Sequence, residues 1–554
     1  MSPSGFSRRD LLQGGAAAAL AAVLAACNDD GASPAATRQA STTSSASSAS
    51  SSNSTSSSTS ITAGSTTTTA ASTTAAPSTA APSTAAPNPA IADLQSRMKG
   101  TVLTPADAQY ATTAIPANAR YASIRPAAIA QCADEADVIT SVQWAVQNGV
   151  PLVPRGGGHN YAGLSTTEGL LIDLAAINSA SLDTSTGVAV VGGAATNQDA
   201  LDATAGGPFF LPAGTCLSVG VGGLVLGGGI GYNSRWAGLT CDHLASTRIV
   251  LATGEVLEVD ANQEPDLFWA CRGATGGTFG IHTSFTFQLV EAPQEVAYFR
   301  YDYRGADAAM AIFGESQKLN ATAPAALNAN MMARAAPVGD GGPREAIDVL
   351  IRGQYIGPMD ELQDLLAPML AAAPEPTKSA LEVLPFWQVQ TGIWAGASPA
   401  PHPFGDISRY GKDPLPDDAN AKIIDLLADC PVRTETSSGS VWSIGWVGGE
   451  VQAAIPRADT AYVHRGLSFL LRPTPSWANE DPQSVGDQLL GWTNDVVAVM
   501  APHTPNESYQ NFPNRALPDP QQQYFAENLE RLTDVKTKYD PQDVFTNEQS
   551  VKPR

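Results

Sequence analysis

The sequence predicts a mixed α+β protein, and three observations carry that expectation. Glycine and proline are plentiful, at 49 and 40 residues, and charged residues make up only 15% of the chain; this composition suits many tight turns and backbone-lined loops better than a helical bundle. Apolar residues recur at helical spacing in some segments and run as short strand-like blocks in others. A glycine-rich first portion gives way, from about Tyr298, to a portion in which helical stretches separate strands. The balance of 53 acidic to 31 basic residues gives a formal net charge of −22, which argues against nucleic acid or an anionic lipid surface as partner.

The amino terminus reads Ser7-Arg8-Arg9-Asp10-Leu11-Leu12, then an Ala/Leu-rich stretch from Ala16 to Ala26 that ends at Cys27. It resembles a twin-arginine export signal with a lipoprotein cleavage box, and the apolar run is too short for a comfortable membrane span. Two outcomes follow for Cys27: lipidation as the first residue of the mature protein, or plain signal cleavage that leaves it incidental. From Asn28 to about Pro89 nearly every residue is Ser, Thr, Ala, Pro or Gly, and Pro77-Ser78-Thr79-Ala80-Ala81 is repeated from Pro82. Such a tract buries too little apolar surface to offset its ordering entropy and is expected to be a flexible tether.

The folded body is expected from Ile91. A helix is expected from Asp134 to Asn148, through Val138, Ile139, Val142 and Val146, with Gly149 as its stop. A strand from Val150 to Val153 leads into the loop Arg155-Gly156-Gly157-Gly158-His159-Asn160-Tyr161, and a second strand runs from Leu170 to Leu174. Val188 to Val191 reads as a strand and Asn197 to Ala205 as a helix. The run from Gly220 to Gly231 is too rich in glycine to be ordinary core. Arg248 to Ala252 and Glu255 to Val259 flank Thr253-Gly254 as a hairpin. A short helix from Pro265 to Arg272, a glycine loop from Gly273 to Gly280 and an alternating strand from Ile281 to Leu289 follow. The second portion has helices at Asp307 to Leu319, Met359 to Leu370 and Asp418 to Asp429, with strands at Ala346 to Tyr355 and Ser440 to Val447. An amphipathic helix from Pro520 to Lys538 is stopped by Tyr539-Asp540-Pro541.

Three glycine loops invite a dinucleotide, since a backbone without side chains lets N–H groups approach pyrophosphate closely. The Rossmann fingerprint G-x-G-x-x-G is absent, as are the Walker pattern and the G-x-S-x-G elbow, which disfavours an ordinary NAD site, a nucleotide hydrolase and an α/β-hydrolase. The six cysteines have long, irregular spacings without C-x-x-C, so no zinc or other metal site is indicated.

The loop Arg155 to Tyr161, followed by Leu211-Pro212-Ala213-Gly214-Thr215-Cys216-Leu217-Ser218-Val219-Gly220-Val221-Gly222-Gly223, resembles the berberine bridge enzyme-like family within the vanillyl-alcohol oxidase type of flavoproteins. Asp266 to Gly273, Gly276-Gly277-Thr278-Phe279-Gly280, and Tyr539-Asp540-Pro541 through Val544-Phe545 to Gln549-Ser550-Val551 resemble the family's other landmarks in the right order, so the resemblance covers the chain from Ile91 to its end. It implies a PCMH-type, two-subdomain FAD-binding domain at 91–292, a substrate domain with an antiparallel sheet and helices at 293–505, and a segment at 506–554 that completes the FAD domain. These follow a signal at 1–27 and a linker at 28–90.

The resemblance further implies FAD bonded through its 8α carbon to His159 and through carbon 6 to Cys216. Backbone contacts to the cofactor are expected from Gly156, Gly157, Gly158, Asn160, Gly220, Val221, Gly222, Gly223, Gly227, Gly228, Gly229, Gly276, Gly277, Gly280 and Ile281, with Arg155 and Asn547 beside them. Leu224 departs from the family, many of whose members have a polar residue there. Tyr509, in Tyr509-Gln510-Asn511-Phe512, is the expected proton-accepting residue, and Tyr161 a second candidate on the substrate side. Phe512 stands where family members often have a second tyrosine. The implied activity is FAD-dependent oxidation of an alcohol, sugar or secondary metabolite, with dioxygen or another acceptor recharging the flavin, in an exported, cell-envelope or extracellular protein. Two alternatives stay open: a non-catalytic flavin-binding envelope lipoprotein, and a flavin dehydrogenase with one covalent link.

Overall fold

The computed structural model describes residues 89–338, 343, 346–393 and 400–554. The export-type segment with Cys27 and the Ser/Thr/Ala/Pro-rich tract up to residue 88 lie outside the described residues.

The described body opens with the helix Pro89–Arg97, two residues ahead of the expected start. A first sheet has four strands in the spatial order Thr101–Leu103, Ala128–Gln131, Leu170–Asp173, Leu152–Arg155; the last three run parallel and the first is antiparallel to its neighbour. The helix Glu135–Asn148 lies between two of these strands in sequence. Asp134 caps its start by accepting the Asp137 N–H, and Gly149 ends it in left-handed backbone. That ending draws the Val150 N–H back to the Ala145 carbonyl at 2.9 Å. The strand expected from Val150 to Val153 therefore forms two residues later, and its last residue is Arg155, at the mouth of the glycine loop.

A second, antiparallel sheet has the order Ala180–Asp183, Val188–Gly192, Ile281–Gln288, Leu244–Val250, Val256–Asp260, with the last two strands forming the expected hairpin. The third sheet has seven antiparallel strands in the order Lys378–Pro385, Glu295–Arg304, Ile347–Tyr355, Leu327–Ala335, Ser438–Ile444, Phe469–Ser476, Arg409–Gly411. One face of it buries Phe299, Met331, Ile351, Val441 and Leu471 with residues of the helices Ala306–Thr322, Met359–Ala372, Asp417–Ala428 and Gln483–Met500. Because side chains alternate along a strand, the neighbouring Arg352, Ser440, Trp442, Arg472 and Thr474 turn to the other face. That face closes the cavity described below.

Two expectations need correction. The run Gly220–Gly231 reads as too rich in glycine to be ordinary core, yet Val221–Leu226 is a short helix whose Val221, Val225 and Leu226, with Ile230, belong to the largest apolar cluster. The glycines between them let that backbone sink into the core beside the Gly193 carbonyl and the Phe285 ring. The helix expected from Pro520 to Lys538 is interrupted: Pro520–Phe525 and Leu529–Tyr539 are α-helical, with a 3-10 turn at Ala526–Asn528 between them. Asn528 accounts for the break, because its side-chain amide donates to the Arg457 and Thr460 carbonyls at 2.9 and 3.1 Å.

Beyond the break, the fully buried Lys536 donates from Nζ to Asp540 and to the Thr278 and Phe545 carbonyls, each at 2.7 Å. A buried cation with this many acceptors fastens the chain end to the loop 273–280. Among the described residues no helix is long and apolar enough to cross a membrane. Nor does any group of three or more His, Cys, Asp or Glu stand ready for a metal ion.

Candidate functional site

A cavity of about 400 Å³ lies where the three glycine loops face the seven-stranded sheet and the C-terminal segment. Its first loop leaves the strand Leu152–Arg155 and carries Gly156, Gly157, Gly158, His159, Asn160 and Tyr161 on the wall. Its second carries Cys216, Gly220, Gly222 and Gly223, and its third Gly276, Gly277, Gly280 and Ile281.

The first two loops touch backbone to backbone: a Cβ on Gly157 would stand 2.3 Å from the Gly220 nitrogen, and one on Gly220 would stand 2.5 Å from the Gly157 nitrogen. Only two glycines permit that approach. It brings the two nucleophile-bearing loops side by side, and His159 Nε2 lies 2.6 Å from Ser218 Oγ, two residues beyond Cys216. Burial pulls the His159 imidazole down from 6.5 to about 4, so the ring is neutral near pH 7. Among the described cysteines none is in a disulfide. Cys132, Cys241, Cys271 and Cys430 are buried, whereas Cys216 is half-buried on the cavity wall. Burial pushes the Cys132 and Cys271 thiols up to about 12, the condition of inert core thiols.

Gly222 and Gly223 occupy the first turn of the helix Val221–Leu226, whose N–H groups have no acceptor four residues back. Thr275 holds a left-handed backbone at φ 76°, costly for a β-branched residue, and its N–H donates to the Leu226 carbonyl at 2.9 Å. Asn547 and Gln549 close the loop side of the wall.

On the other side stand side chains. The Tyr161 ring is stacked on Phe512, with centroids 5.0 Å apart and planes 7° from parallel. The Arg472 guanidinium lies 4.1 Å from the Phe512 centroid and 5.8 Å from that of Tyr161. Arg472 is held by Asp406, to which its Nε donates at 2.9 Å; Thr474 Oγ1 donates to the same carboxylate oxygen at 3.1 Å. The second oxygen of Asp406 is buried without a hydrogen-bond partner. Burial pushes the Tyr161 phenol above its ordinary value, and the Arg472 charge opposes that push. Trp442, Trp446 and Phe404 complete an aromatic rim.

Tyr509 reaches the wall too, but its hydroxyl oxygen already accepts the Gly229 and Ile230 N–H groups at 3.1 and 3.3 Å and the Asn511 amide at 3.0 Å. Five expected cofactor residues stand behind the wall. Arg155 donates to the Thr113, Ala114 and Ser165 carbonyls. The Val221 N–H donates to Ala195, and the N–H groups of Gly227, Gly228 and Gly229 go to Leu224, Val225 and Tyr509. The four backbone N–H groups are thus engaged within the protein, and the Arg155 guanidinium is turned to three carbonyls; all five residues shape the loops. Ser218, Asp406, Arg472 and Trp442 escaped the sequence reading. The signal they left is thin: a polar or aromatic residue at alternate positions of an otherwise apolar strand, as in Phe469-Leu470-Leu471-Arg472-Pro473-Thr474.

Residues 126–260 match the FAD binding domain family, and residues 508–552 match the family described as berberine and berberine like. These matches make the chain similar to the berberine bridge enzyme-like FAD-binding proteins. Relatives of this family include an uncharacterized FAD-linked oxidoreductase of Bacillus subtilis (strain 168), 29% identical over 83% of this chain and 98% of the relative. The glucooligosaccharide oxidase of Sarocladium strictum is 28% identical over 77% of this chain and 87% of its own. Among solved structures, wild-type Physcomitrella patens BBE-like 1 superposes with a TM-score of 0.74 at 26% identity, over 84% of this chain and 99% of that one. The Acremonium strictum glucooligosaccharide oxidase, whose structure is described as revealing a novel flavinylation, gives a TM-score of 0.73 at 26% identity, over 84% and 98%.

The chain is thus an FAD-dependent oxidoreductase of α+β fold, and the cavity fits the cofactor on its own terms. Glycine backbone from three loops faces a single space, Gly222 and Gly223 line it from the first turn of a short helix, and an imidazole and a thiol lie on adjoining loops of the same wall.

Proposed function

We propose that the protein holds FAD through His159 and Cys216 and oxidises an alcohol group of a sugar, oligosaccharide or other ring-bearing metabolite. Dioxygen or another acceptor takes the electrons. The observation that carries this reading is the meeting of the His159 and Cys216 loops at the Gly157/Gly220 contact on one cavity wall. The names of the Sarocladium glucooligosaccharide oxidase and of a chitooligosaccharide oxidase from Gibberella zeae support the sugar class. So does the aromatic rim, since flat rings stack on the apolar faces of sugars and aromatic metabolites.

Bound FAD supplies a two-electron acceptor for the hydride of the alcohol carbon. The rest falls to the chain. Gly156 to Gly158, Gly220, Gly222, Gly223, Gly276, Gly277, Gly280 and Asn547 hold the cofactor, while Trp442, Trp446 and Phe404 orient the substrate and exclude water. Tyr161 is placed to take the hydroxyl proton: burial holds its phenol above its ordinary value, and the Arg472 cation beside it opposes that rise and favours the ionised form the step needs. Tyr509 anchors the loop 227–230, its oxygen being occupied by three donors. We also propose export through the twin-arginine segment and lipid anchoring at Cys27, so that the reaction takes place outside the cytoplasmic membrane.

The test begins with the purified protein. Flavin absorbance should survive acid precipitation, and oligosaccharides or alcohols added anaerobically should bleach it. Tyr161→Phe should lower the bleaching rate by about 10²–10⁴, and Tyr509→Phe should mainly lower thermal stability. Colour that persists over a broad panel would favour the flavin-scaffold reading, for which Phe512, in place of a phenol beside Tyr161, is the motivating observation.

A further inference from the structure

We propose that Ser218 is the positioning residue for covalent flavin attachment, accepting a hydrogen bond from His159 Nε2–H and so leaving Nδ1 as the nitrogen that bonds the cofactor. This rests on the covalent reading above and extends it to a residue of the second loop. The argument starts from the 2.6 Å contact between His159 Nε2 and Ser218 Oγ. A neutral imidazole carries one hydrogen, and the nitrogen opposite the one that carries it keeps its lone pair. With Nε2–H donated to Ser218, that lone pair sits on Nδ1. Burial keeps the ring neutral and therefore nucleophilic around pH 7.

A hydroxyl suits this task better than a carboxylate because it both accepts and donates. During attachment the Nδ1 lone pair forms a bond to the ring methyl carbon, and that carbon loses one proton. The C–H electron pair passes into the ring system, and the imidazole releases its Nε2 proton. The ring system holds two extra electrons and two protons until dioxygen removes them as hydrogen peroxide. Before the bond forms Ser218 accepts from Nε2–H; afterwards its O–H donates to the bare Nε2. One residue serves both states without moving the backbone. The backbone is in any case pinned, by the Gly157/Gly220 approach and by Asn197, whose amide donates to the Cys216 carbonyl at 2.8 Å. The loop that brings the second nucleophile thus also orients the first.

The experiment compares the full chain with Ser218→Ala, Ser218→Thr and Ser218→Val by peptide mass spectrometry, counting flavin on the His159 peptide and on the Cys216 peptide separately. Thr and Val share a shape and differ by the hydroxyl, so the comparison survives if Ala folds poorly. Flavin on His159 should fall about tenfold in Ala and Val, the scale of one hydrogen bond of about 1.4 kcal/mol. It should stay near the parent level in Thr, with the Cys216 link retained throughout. Equal His159 occupancy in Thr and Val overturns the role of Ser218 while leaving the covalent reading intact. A parent protein with no flavin on His159 overturns both.

Discussion

The two sides of the cavity are built from different material. The loop side is backbone, in which glycines of separate loops approach within distances that no side chain would permit. The sheet side is side chain, in which Trp442 and Arg472 of the sheet, with Tyr161 reaching over from the first loop and Phe512 from the C-terminal segment, pack as rings and a guanidinium over a buried carboxylate. A backbone wall cannot be altered one residue at a time, whereas a side-chain wall can be repainted on the same strands. The first therefore suits a cofactor common to a family, and the second suits whatever substrate a given member meets.

The sharpest way to break that contrast is Gly157→Ala. Its Cβ would stand 2.3 Å from one backbone atom and 2.8 Å from another, both of Gly220, so neither loop can yield by rotating a side chain. We expect a loss of about 5 kcal/mol of stability and a failure to acquire flavin, measured by thermal melting and by absorbance of the purified protein. Gly491→Ala, in the helix Gln483–Met500 and off the cavity wall, serves as the control, because its Cβ meets nothing within 4 Å. Should Gly157→Ala melt with the parent and remain yellow, the loop side is no more rigid than the sheet side.

The same contrast explains what the sequence made legible. His159, Cys216 and the glycines around them sit in unbroken motifs because consecutive residues of a loop all have to fit one ligand. Arg472 and Asp406 are 66 positions apart, and Tyr161 and Phe512 come from opposite ends of the described chain; no local pattern joins them. Expected strands overlapped the observed ones but their ends moved by up to four residues, as where Arg248 to Ala252 forms as Leu244–Val250; the strand at Val150 started late because a helix ending claimed the residue first. Gly227, Gly228 and Gly229, expected at the cofactor, stand behind the cavity wall for a different reason. Glycine signals a backbone need, and here the need is met by Tyr509 and by neighbouring carbonyls. The interruption of the last helix at Ala526 was hidden because its cause, Asn528, reaches carbonyls some 70 positions away.

On the sheet side, Arg472→Met should cost about 3–5 kcal/mol, since it leaves the fully buried Asp406 carboxylate without its cation. Flavin content should hold, because no atom of this pair belongs to the loop wall. Chemical denaturation and the flavin-to-protein ratio check both halves of that statement. Asp406→Asn with Arg472→Met should recover part of the loss, as a neutral amide tolerates the site better than an orphaned charge. A double variant no more stable than the single one would mean that the rings around Arg472, rather than its ion pair, hold this side together.

The smallest of the three effects returns to the loop side and is read through pH. Burial lowers His159 from 6.5 to about 4, so the folded protein refuses a proton that the unfolded chain accepts. Between pH 6.5 and 4 the unfolded state binds more protons, and stability falls as the pH drops through that window; above 6.5 the contribution is fully present. A displacement of this size is worth about 3 kcal/mol at most. In flavin-free protein, where this ring is unbonded, His159→Gln should flatten the slope of unfolding free energy against pH by that amount, measured by urea denaturation at closely spaced pH values. His282, lowered to about 3 by complete burial on the same side, contributes a slope of its own that this substitution leaves in place. If His159→Gln and the parent lose stability in parallel down to pH 4, the His159 ring meets water, and the backbone wall is more open than the loop contacts imply.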